Sequence, residues 1–438
     1  MIISCSILFF GIGAYLAFRA TRNLLSPVFI TIGMWLFAYV GAIIIFVTEG
    51  RILTLFFISI GVLFYGLGTI FLAAFLHFKP AQELTRFREQ PFFSVFPDKR
   101  MFLVSLIVVF FITVSLIAYY YYIAGVPLFS EDVSVHIITQ PKGRGIFVRG
   151  FVTFLPVVTL IAYLLVKARN TLGTKTFLCI VAITGMVTIV FTGTRGAALG
   201  YIIPFIIIYG LISRKINWLR LSLVLLIFLV AAIGFQYRYW GWQDLPLRDA
   251  LMLFGSRLTA SQLMGADYII HELVPRTGLF MGEIAWNEFK GILAVLRILP
   301  KFPVPFWITL FEIMHGVDPR AAFVMTTTPI GDLYVDFGVP GIILGMFFFG
   351  AIAQVLYIKT LRYCKDYFIL PIMAYLQYIL VMTHIIGSFF NVFGQYGISL
   401  IVIATAILSL TLILSLPLGR IVVRLPKRKV STYGEYKL

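Results

Sequence analysis

Long apolar runs with very few charges constrain this chain more than any other feature of its sequence. The run from Thr176 to Ser213 holds 38 residues and a single charged residue, Arg195. One helix of that length would span about 57 Å at about 1.5 Å per residue, whereas the apolar core of a bilayer is about 30 Å thick. The run therefore predicts two membrane spans. The segment "TGTRG" would be the turn between them, with Arg195 at a membrane surface.

The composition agrees with a protein that crosses the membrane many times. Hydrophobic residues make up 61 % of the chain, charged residues 12 %, and the mean hydropathy is +1.00. Soluble domains contain about one quarter charged residues. The formal charge of +17 is then typical of cytoplasmic loops rather than of a nucleic-acid-binding surface. The three cysteines show no CxxC spacing, which argues against a disulfide framework or a metal cluster.

Eleven membrane spans fit the apolar runs. The first positive charges follow the first run instead of preceding it, so we interpret that run as a retained helix and not as a cleavable signal peptide. The predicted spans are residues 2–18, 27–47, 52–76, 101–124, 150–166, 176–192, 196–213, 221–236, 338–357, 367–389 and 397–416.

The distribution of Lys and Arg predicts the orientation of the spans. Alternate loops and the C-terminal tail hold 22 of these residues: 19–26, 77–100, 167–175, 214–220, 358–366 and 417–438. Cytoplasmic loops carry such an excess, so we expect an extracytoplasmic N-terminus, a cytoplasmic C-terminus and Arg195 on the extracytoplasmic face. The chain then divides into eight spans (1–236), an extracytoplasmic cap loop (237–337), three spans (338–416) and a basic cytoplasmic tail (417–438).

The cap loop is predicted to be helical and not a flexible linker. Apolar residues recur at helical spacing in residues 246–273, which contain no internal proline. Two further amphipathic stretches cover residues 281–299 and 306–314. Such segments would lie half-buried against the outer surface of the helical bundle.

Arginines on the outer face have two interpretations. They either pair with nearby carboxylates and lipid phosphates, or they bind a diphosphate, because a planar guanidinium presents two parallel donors to phosphoryl oxygens. Arg195 favours the second interpretation. No acidic residue lies near it in the sequence, and the flanking glycines leave backbone N–H groups open to an anion.

Two histidines and two aspartates are candidates for a proton-transferring group. His271 follows Arg257 by 14 residues, which places both on one face of the first predicted cap helix, although a single histidine there also fits a structural role. His315 lies in the polar turn "MHGVDPRAAF" and fits either role. Asp332 and Asp336 lie four residues apart before an apolar span. They could orient an acceptor hydroxyl, act as a general base or cap helices.

Four short segments together resemble the Wzy-type oligosaccharide repeat-unit polymerases of bacterial envelope polysaccharide synthesis. They are "GTRGAALG", "GVPLFS" after the fourth span, "RILPKF" and "GDLYVDFGVPGIILG". The family pattern has an arginine after a turn glycine or serine, which Arg195 matches. It also has a Gly-acid-x-Tyr-x-x-Phe-Gly segment before a late span, matched here by Gly331, Asp332, Tyr334, Phe337 and Gly338. The chain departs from the pattern at Lys301, where arginine is common, and at Asp336, where asparagine is common.

The resemblance implies transfer of a growing glycan from polyprenyl diphosphate to the sugar of an incoming lipid-linked unit, on the outer face of the cytoplasmic (inner) membrane. It also implies a fold like the metal-independent branch of the GT-C-like membrane glycosyltransferases, with no cofactor and with a chain-length-regulating co-polymerase as a partner. Fixed cations would stabilise the diphosphate that leaves. The predicted diphosphate ligands are Arg195, Arg238, Arg257, Arg276, Lys301 and Arg320, and the candidate catalytic residues are His271, His315, Asp332 and Asp336.

Two other functions remain open at this point. A ligase of the O-antigen type would move the same glycan onto a lipid core, and the sequence does not separate it from a polymerase. A polysaccharide or lipid transporter would place ionisable residues at mid-span and break its helices in matched halves. Within the predicted spans, His384 comes nearest to such a mid-span residue.

Overall fold

The computed structural model describes most of the helical core of the chain. The described residues are 2–96, 99–126, 129, 149–192, 195–219, 221–223, 225–226, 230, 245–246, 248–249, 252, 255, 263–296, 298–300, 306–315, 326–387 and 389–415. These ranges are largely helical, and an isolated parallel bridge joins Phe93 to Asp366.

Eight helices are described before residue 213. They are α1 (Ile2–Thr21), α2 (Pro27–Thr48), α3 (Ile52–Phe75), α4 (Pro80–Glu89), α5 (Lys99–Ala124), α6 (Gly150–Ala168), α7 (Leu172–Thr192) and α8 (Arg195–Ile212). The first five residues of α6 form a π-helical turn, Gly150–Phe154. Since α7 and α8 are separate helices, residues 176–213 form two helices and not one, as the length of the run predicted.

Six further helices follow in the described part of the chain. They are α9 (264–277), α10 (Glu283–Val295), α11 (Phe306–His315), α12 (Thr328–Tyr363), α13 (Ile369–Ile386) and α14 (Phe389–Ser415). The central turn of α9, Ile269–Leu273, is π-helical. Of the helix predicted over residues 246–273, the structure describes the last part as α9, which begins at residue 264 and continues to Thr277. Most of residues 246–262 lie outside the described residues.

Ten of the eleven predicted spans coincide with apolar helices. Seven helices of the described chain are long and apolar enough to cross a membrane, and α2, α8 and α13 contain shorter apolar stretches. The predicted span 221–236 lies mostly outside the described residues. The described part of the chain is therefore all-helical, and its apolar helices make it a multi-pass membrane protein.

Helix α3 packs against α1 on one side and α12 on the other, and glycines form both contacts. A Cβ atom added to Gly13 would lie 2.5 Å from the carbonyl oxygen of Val62, and one added to Gly66 would clash with the backbone of Gly13. Gly68 meets the backbone of Phe347 in the same way. Apolar side chains gain little from association in lipid, so close backbone packing at small residues holds such helices together.

Helix α12 is interrupted near the start of its apolar part. Gly338 adopts φ 64° and ψ −151°, a conformation that favours glycine because it has no Cβ. Pro340 follows two residues later, where a helical first turn tolerates its missing N–H. The predicted span 338–357 therefore begins at this break, and the ten residues before it form a separate helical segment.

Three loops that the charge pattern places on one side of the membrane meet at one end of the bundle. Arg88 on α4 donates from Nη2 to the carbonyl oxygen of Gly210 near the end of α8, at 2.8 Å. Arg362 near the end of α12 donates from Nε to Glu83 of α4, at 3.1 Å. These contacts show that α4, α8 and α12 share an end.

The carboxylate of Asp366 fixes that end, which we name the Asp366 end. Asp366 is fully buried and accepts the backbone N–H of Val95 at 2.7 Å and that of Phe368 at 2.6 Å. A buried carboxylate is stable only when such donors replace water. Asp366 thereby joins the segment after α4 to the start of α13.

The glycine contact between α1 and α3 gives a direct test of the packing. We expect Gly13→Ala to lower stability by about 1–3 kcal/mol, because the added methyl group must displace the backbone of α3. Thermal unfolding of the purified protein in detergent measures the change.

Gly11→Ala is the matched control on the same helix. No atom lies within 4 Å of a Cβ at Gly11, so this variant is expected to unfold at the same temperature as the wild type or slightly above it. Equal loss in both variants would contradict the packing argument.

Candidate functional site

The candidate site lies at the opposite end of the bundle, where α9 crosses the first segment of α12. A Cβ on Gly265 would clash with the carbonyl group of Thr326, and one on Gly331 would lie 3.1 Å from Cα of Ala266. The glycine that opens the "GDLYVDFG" segment is therefore required by a close helix crossing. This crossing fixes the position of α9 on the bundle.

Asp267 of α9 anchors the site, and we name this end of the bundle the Asp267 end. The side chain is buried, with 2 % of the residue exposed. Its Oδ2 accepts from Nη1 of Arg51 at 2.5 Å, and its Oδ1 accepts from the hydroxyl of Thr54 at 2.5 Å. The hydrogen bond from Arg51 to Asp267 raises the pKa of the guanidinium above its ordinary value, so Arg51 stays positively charged.

His271 lies one turn after Asp267, in the π-helical segment of α9. Its Nε2 lies 3.7 Å from Oδ1 of Asp267, which is longer than a hydrogen bond, and 27 % of its side chain is exposed. Nε2 is shielded from solvent. When Nε2–H points to the carboxylate, Nδ1 is the nitrogen left to accept a proton. A histidine beside a buried aspartate is a common arrangement for a general base.

The sequence analysis assigned no role to Asp267, Arg51 or Thr54. Of these three residues, only Arg51 is conspicuous in the sequence, because it is the only Lys or Arg between the second and third predicted spans. Its partner lies 216 residues away, so no local pattern identifies the pair.

Arg276, a predicted diphosphate ligand, lies at the end of the same helix. Its Nη2 lies 2.5 Å from Oε2 of Glu272, and 70 % of its side chain is exposed. This is the ion-pair arrangement that the sequence analysis gave as the alternative to diphosphate binding. An exposed pair of this kind is held only weakly, so Arg276 remains accessible to an anion.

Asp336 joins α12 to the second cap helix. It is buried, with 2 % exposed, and its two oxygens accept the backbone N–H groups of Ile284 at 3.1 Å and Ala285 at 2.9 Å. These donors belong to the first turn of α10, where intrahelical partners are missing. Asp336 thus caps a helix, which was one of the roles predicted for it, but the helix is α10 and not its own.

Asp332, in the first segment of α12, lies beside the turn between α13 and α14. It is half-buried, and a Cβ on Gly387 would lie 2.7 Å from Oδ2 of Asp332 and 2.5 Å from the hydroxyl oxygen of Thr327. Gly387 has φ 81°, which favours glycine. Asp332 and Asp336 share the first helical segment of α12, but they contact different parts of the protein.

The remaining candidates are described in part or not at all. Arg195 is the first residue of α8 and His315 the last of α11, while their side chains lie outside the described atoms. Among the described residues, no group of three or more His, Cys, Asp and Glu side chains is arranged to hold a metal ion. Four candidates lie outside the described residues: Arg238, Arg257, Lys301 and Arg320.

The cap formed by Asp336 is tested by removing its acceptors. We expect Asp336→Ala to lower stability by about 1–3 kcal/mol, since two N–H groups of α10 lose their partners. Asp336→Asn keeps one acceptor oxygen and should lose less. Thermal unfolding in detergent measures both.

Glu283→Ala removes an exposed carboxylate from the same helix end and serves as the control. A change within about 0.5 kcal/mol is expected for it, as for other surface substitutions. A loss as large as that of Asp336→Ala would mean that charge near the helix, and not the hydrogen bonds, stabilises the cap.

Comparison with known proteins identifies the family of this chain. Residues 23–387 match the family described as "Putative O-antigen polymerase", and this range includes Arg51, α9 and the first segment of α12. Neither the curated proteins nor the solved structures give a significant match. Because the match covers most of the chain, this multi-pass membrane protein belongs to the O-antigen polymerase family.

Proposed function

We propose that the chain polymerises lipid-linked oligosaccharide repeat units at the Asp267 end of the bundle. The distribution of Lys and Arg supports an extracytoplasmic Asp267 end and a cytoplasmic Asp366 end of a protein in the cytoplasmic (inner) membrane. The cap helices α9 and α10 then cover the outer mouth of the bundle. The observation that carries the proposal is His271 beside the buried Asp267, on a helix within the family match.

The proposed reaction is a glycosyl transfer between two lipid-linked molecules. A hydroxyl oxygen of the acceptor sugar attacks the anomeric carbon of the donor glycan, and the bond from that carbon to the diphosphate oxygen breaks. The electron pair leaves with polyprenyl diphosphate, and the hydroxyl proton passes to a base. One glycosidic bond replaces one sugar–phosphate bond, and the glycan grows by one unit.

His271 is the residue we propose as the base. Its Nδ1 would accept the hydroxyl proton, while Asp267 stabilises the imidazolium that forms through its position beside Nε2. Arg51 and Thr54 hold Asp267 in place, so its carboxylate has a fixed position beside the imidazole ring. Asp332 and His315 are the other candidates for this role. Asp336 is a weaker one, because both of its oxygens already accept backbone donors.

The leaving diphosphate requires fixed positive charge. Arg195 begins α8, so its backbone lies at the positive end of a helix dipole, where anions bind readily. Arg276 lies on the same helix as His271. We propose both as diphosphate ligands, together with Arg238 and Arg257. Lys301 and Arg320 are further candidates.

The decisive experiment is an assay of the purified protein with defined lipid-linked repeat units. We expect glycans of several units on polyprenyl diphosphate, and we expect activity to persist in EDTA, since the proposed charge stabilisation comes from arginines. Loss of activity in EDTA would overturn the metal-independent mechanism. Cells without the protein separate polymerase from ligase: a lost polymerase leaves single units on the final carrier, and a lost ligase leaves long chains on polyprenyl diphosphate.

The assay also tests the base. His271→Ala is expected to lower the turnover rate by about 10²–10⁴-fold, the usual contribution of a general base. Added imidazole should restore part of the activity, because a free base can occupy the vacated space. Thr54→Val, which removes one hydrogen bond to Asp267, should cause a smaller loss.

Met264→Ala is the matched control for His271→Ala, since it truncates an exposed side chain of the same helix and leaves the contacts of Asp267 and Arg276 intact. Near-normal activity is expected for it. An active His271→Ala protein, or one that imidazole does not restore, would move the role of base to Asp332 or His315.

Arg195 gives an independent test of diphosphate binding. Arg195→Ala is expected to abolish polymerisation without changing membrane insertion or abundance, and Arg195→Lys to restore little, since a point charge replaces a bidentate donor. Polymerisation assays and immunoblots of membrane fractions measure both effects. Full activity of Arg195→Ala would remove Arg195 from the site.

A further inference from the structure

A groove of about 690 Å³ opens at the Asp366 end, far from the candidate active site. It lies between the last turn of α1, the end of α3 and the first turn of α4. Its inner wall is apolar and comes from α3 and the residues after it. Its rim is basic. The groove lining includes Arg19, Arg22, Ala73, Phe78, Lys79 and Ala81.

The three basic residues of the rim come from two different loops. Arg19 lies in the last turn of α1, and Arg22 follows that helix. Lys79 directly precedes α4. All three are exposed. In the part of the chain that the structure describes, none of them forms an ion pair with a carboxylate, so their charge is available to an anion.

The backbone adds to the positive field of the groove. Helix α4 begins without a side-chain cap. Its first residues, Pro80, Ala81 and Gln82, line the groove, so the positive end of its dipole lies beside the groove. The acidic residue of its first turn, Glu83, is already paired with Arg362 at 3.1 Å. Arg22 has φ 49°, which is uncommon for a residue other than glycine and sets its side chain at the rim.

The apolar wall distinguishes the occupant from a free anion. Ala73 and Phe78 are buried beneath the groove, and on the same stretch of α3 the side chains of Phe71 and Phe75 are exposed at 55 % and 69 %. In a membrane these two phenylalanines face lipid chains. A molecule that uses both the rim and the wall therefore carries a phosphate next to a hydrocarbon chain.

We propose that this groove binds one anionic phospholipid of the membrane leaflet at the Asp366 end. The phosphate lies between Arg19, Arg22 and Lys79. The upper acyl chain follows the wall at Ile70 and Ala74, which also line the groove and keep exposed surface. The bound lipid would fix α4 against α1 and α3. This binding is independent of polymerisation and of the residues proposed for it.

Native mass spectrometry of the full-length protein, purified from mixed phosphatidylglycerol and phosphatidylcholine, tests the proposal. The wild type is expected to retain phosphatidylglycerol in preference to phosphatidylcholine. The triple variant Arg19→Ala, Arg22→Ala, Lys79→Ala should bind it roughly 100-fold more weakly, since each basic residue near a membrane contributes about a factor of five. The triple variant Lys175→Ala, Arg214→Ala, Lys215→Ala removes equal charge from other loops of that end and should bind normally.

A second variant tests the space in the groove independently of its positive charge. Ala81→Trp fills the groove and leaves all three basic residues in place, so it should also lose the lipid, even if the triple variant proves unstable. Equal retention in the wild type, Ala81→Trp and the control would overturn the proposal. Displacement of the lipid by equimolar inorganic phosphate would assign the site to a free anion, and displacement by a glutamate-rich peptide to a protein partner. Either result would overturn it.

Discussion

Three buried carboxylates join the loops of this protein to its helical bundle. Asp267, Asp336 and Asp366 are each exposed by 2 % or less. A carboxylate removed from water is stable only if protein donors replace the lost hydrogen bonds. Each of the three therefore accepts hydrogen bonds from a segment distant in the sequence, and each fixes one junction: α9 to α3, α10 to α12, and α13 to the segment after α4.

These junctions place the proposed chemistry on a rigid support. Helix α9 crosses α12 closely because Gly265 and Gly331 have no side chains at the contact. Arg51 then donates a hydrogen bond to Asp267 of α9. These contacts position α9, and His271 lies one turn after Asp267 on that helix. A base that must meet an acceptor hydroxyl within hydrogen-bonding distance needs such fixed surroundings.

The segment that carried most of the family resemblance, "GDLYVDFG", mainly builds the support. Gly331 permits the helix crossing, Asp336 caps α10, and Gly338 ends the first segment of α12. Tyr334 packs against Phe57 with ring centroids 5.1 Å apart. Asp332 lies beside Gly387, which is in the turn that joins α13 to α14. A motif typical of a family can thus mark the scaffold of a site.

The sequence by itself determined the membrane-spanning helices and the amphipathic cap segments α10 and α11. Hydrophobic length and periodicity are local properties, and the thickness and low polarity of the bilayer select helices of that length. It also singled out His271 and Asp336. Only the tertiary structure decided what those residues contact. Asp267 meets Arg51 across 216 residues, and Asp336 caps a helix 52 residues earlier in the chain. Such partners follow from how helices cross, and close crossings depend on where glycines of different helices meet.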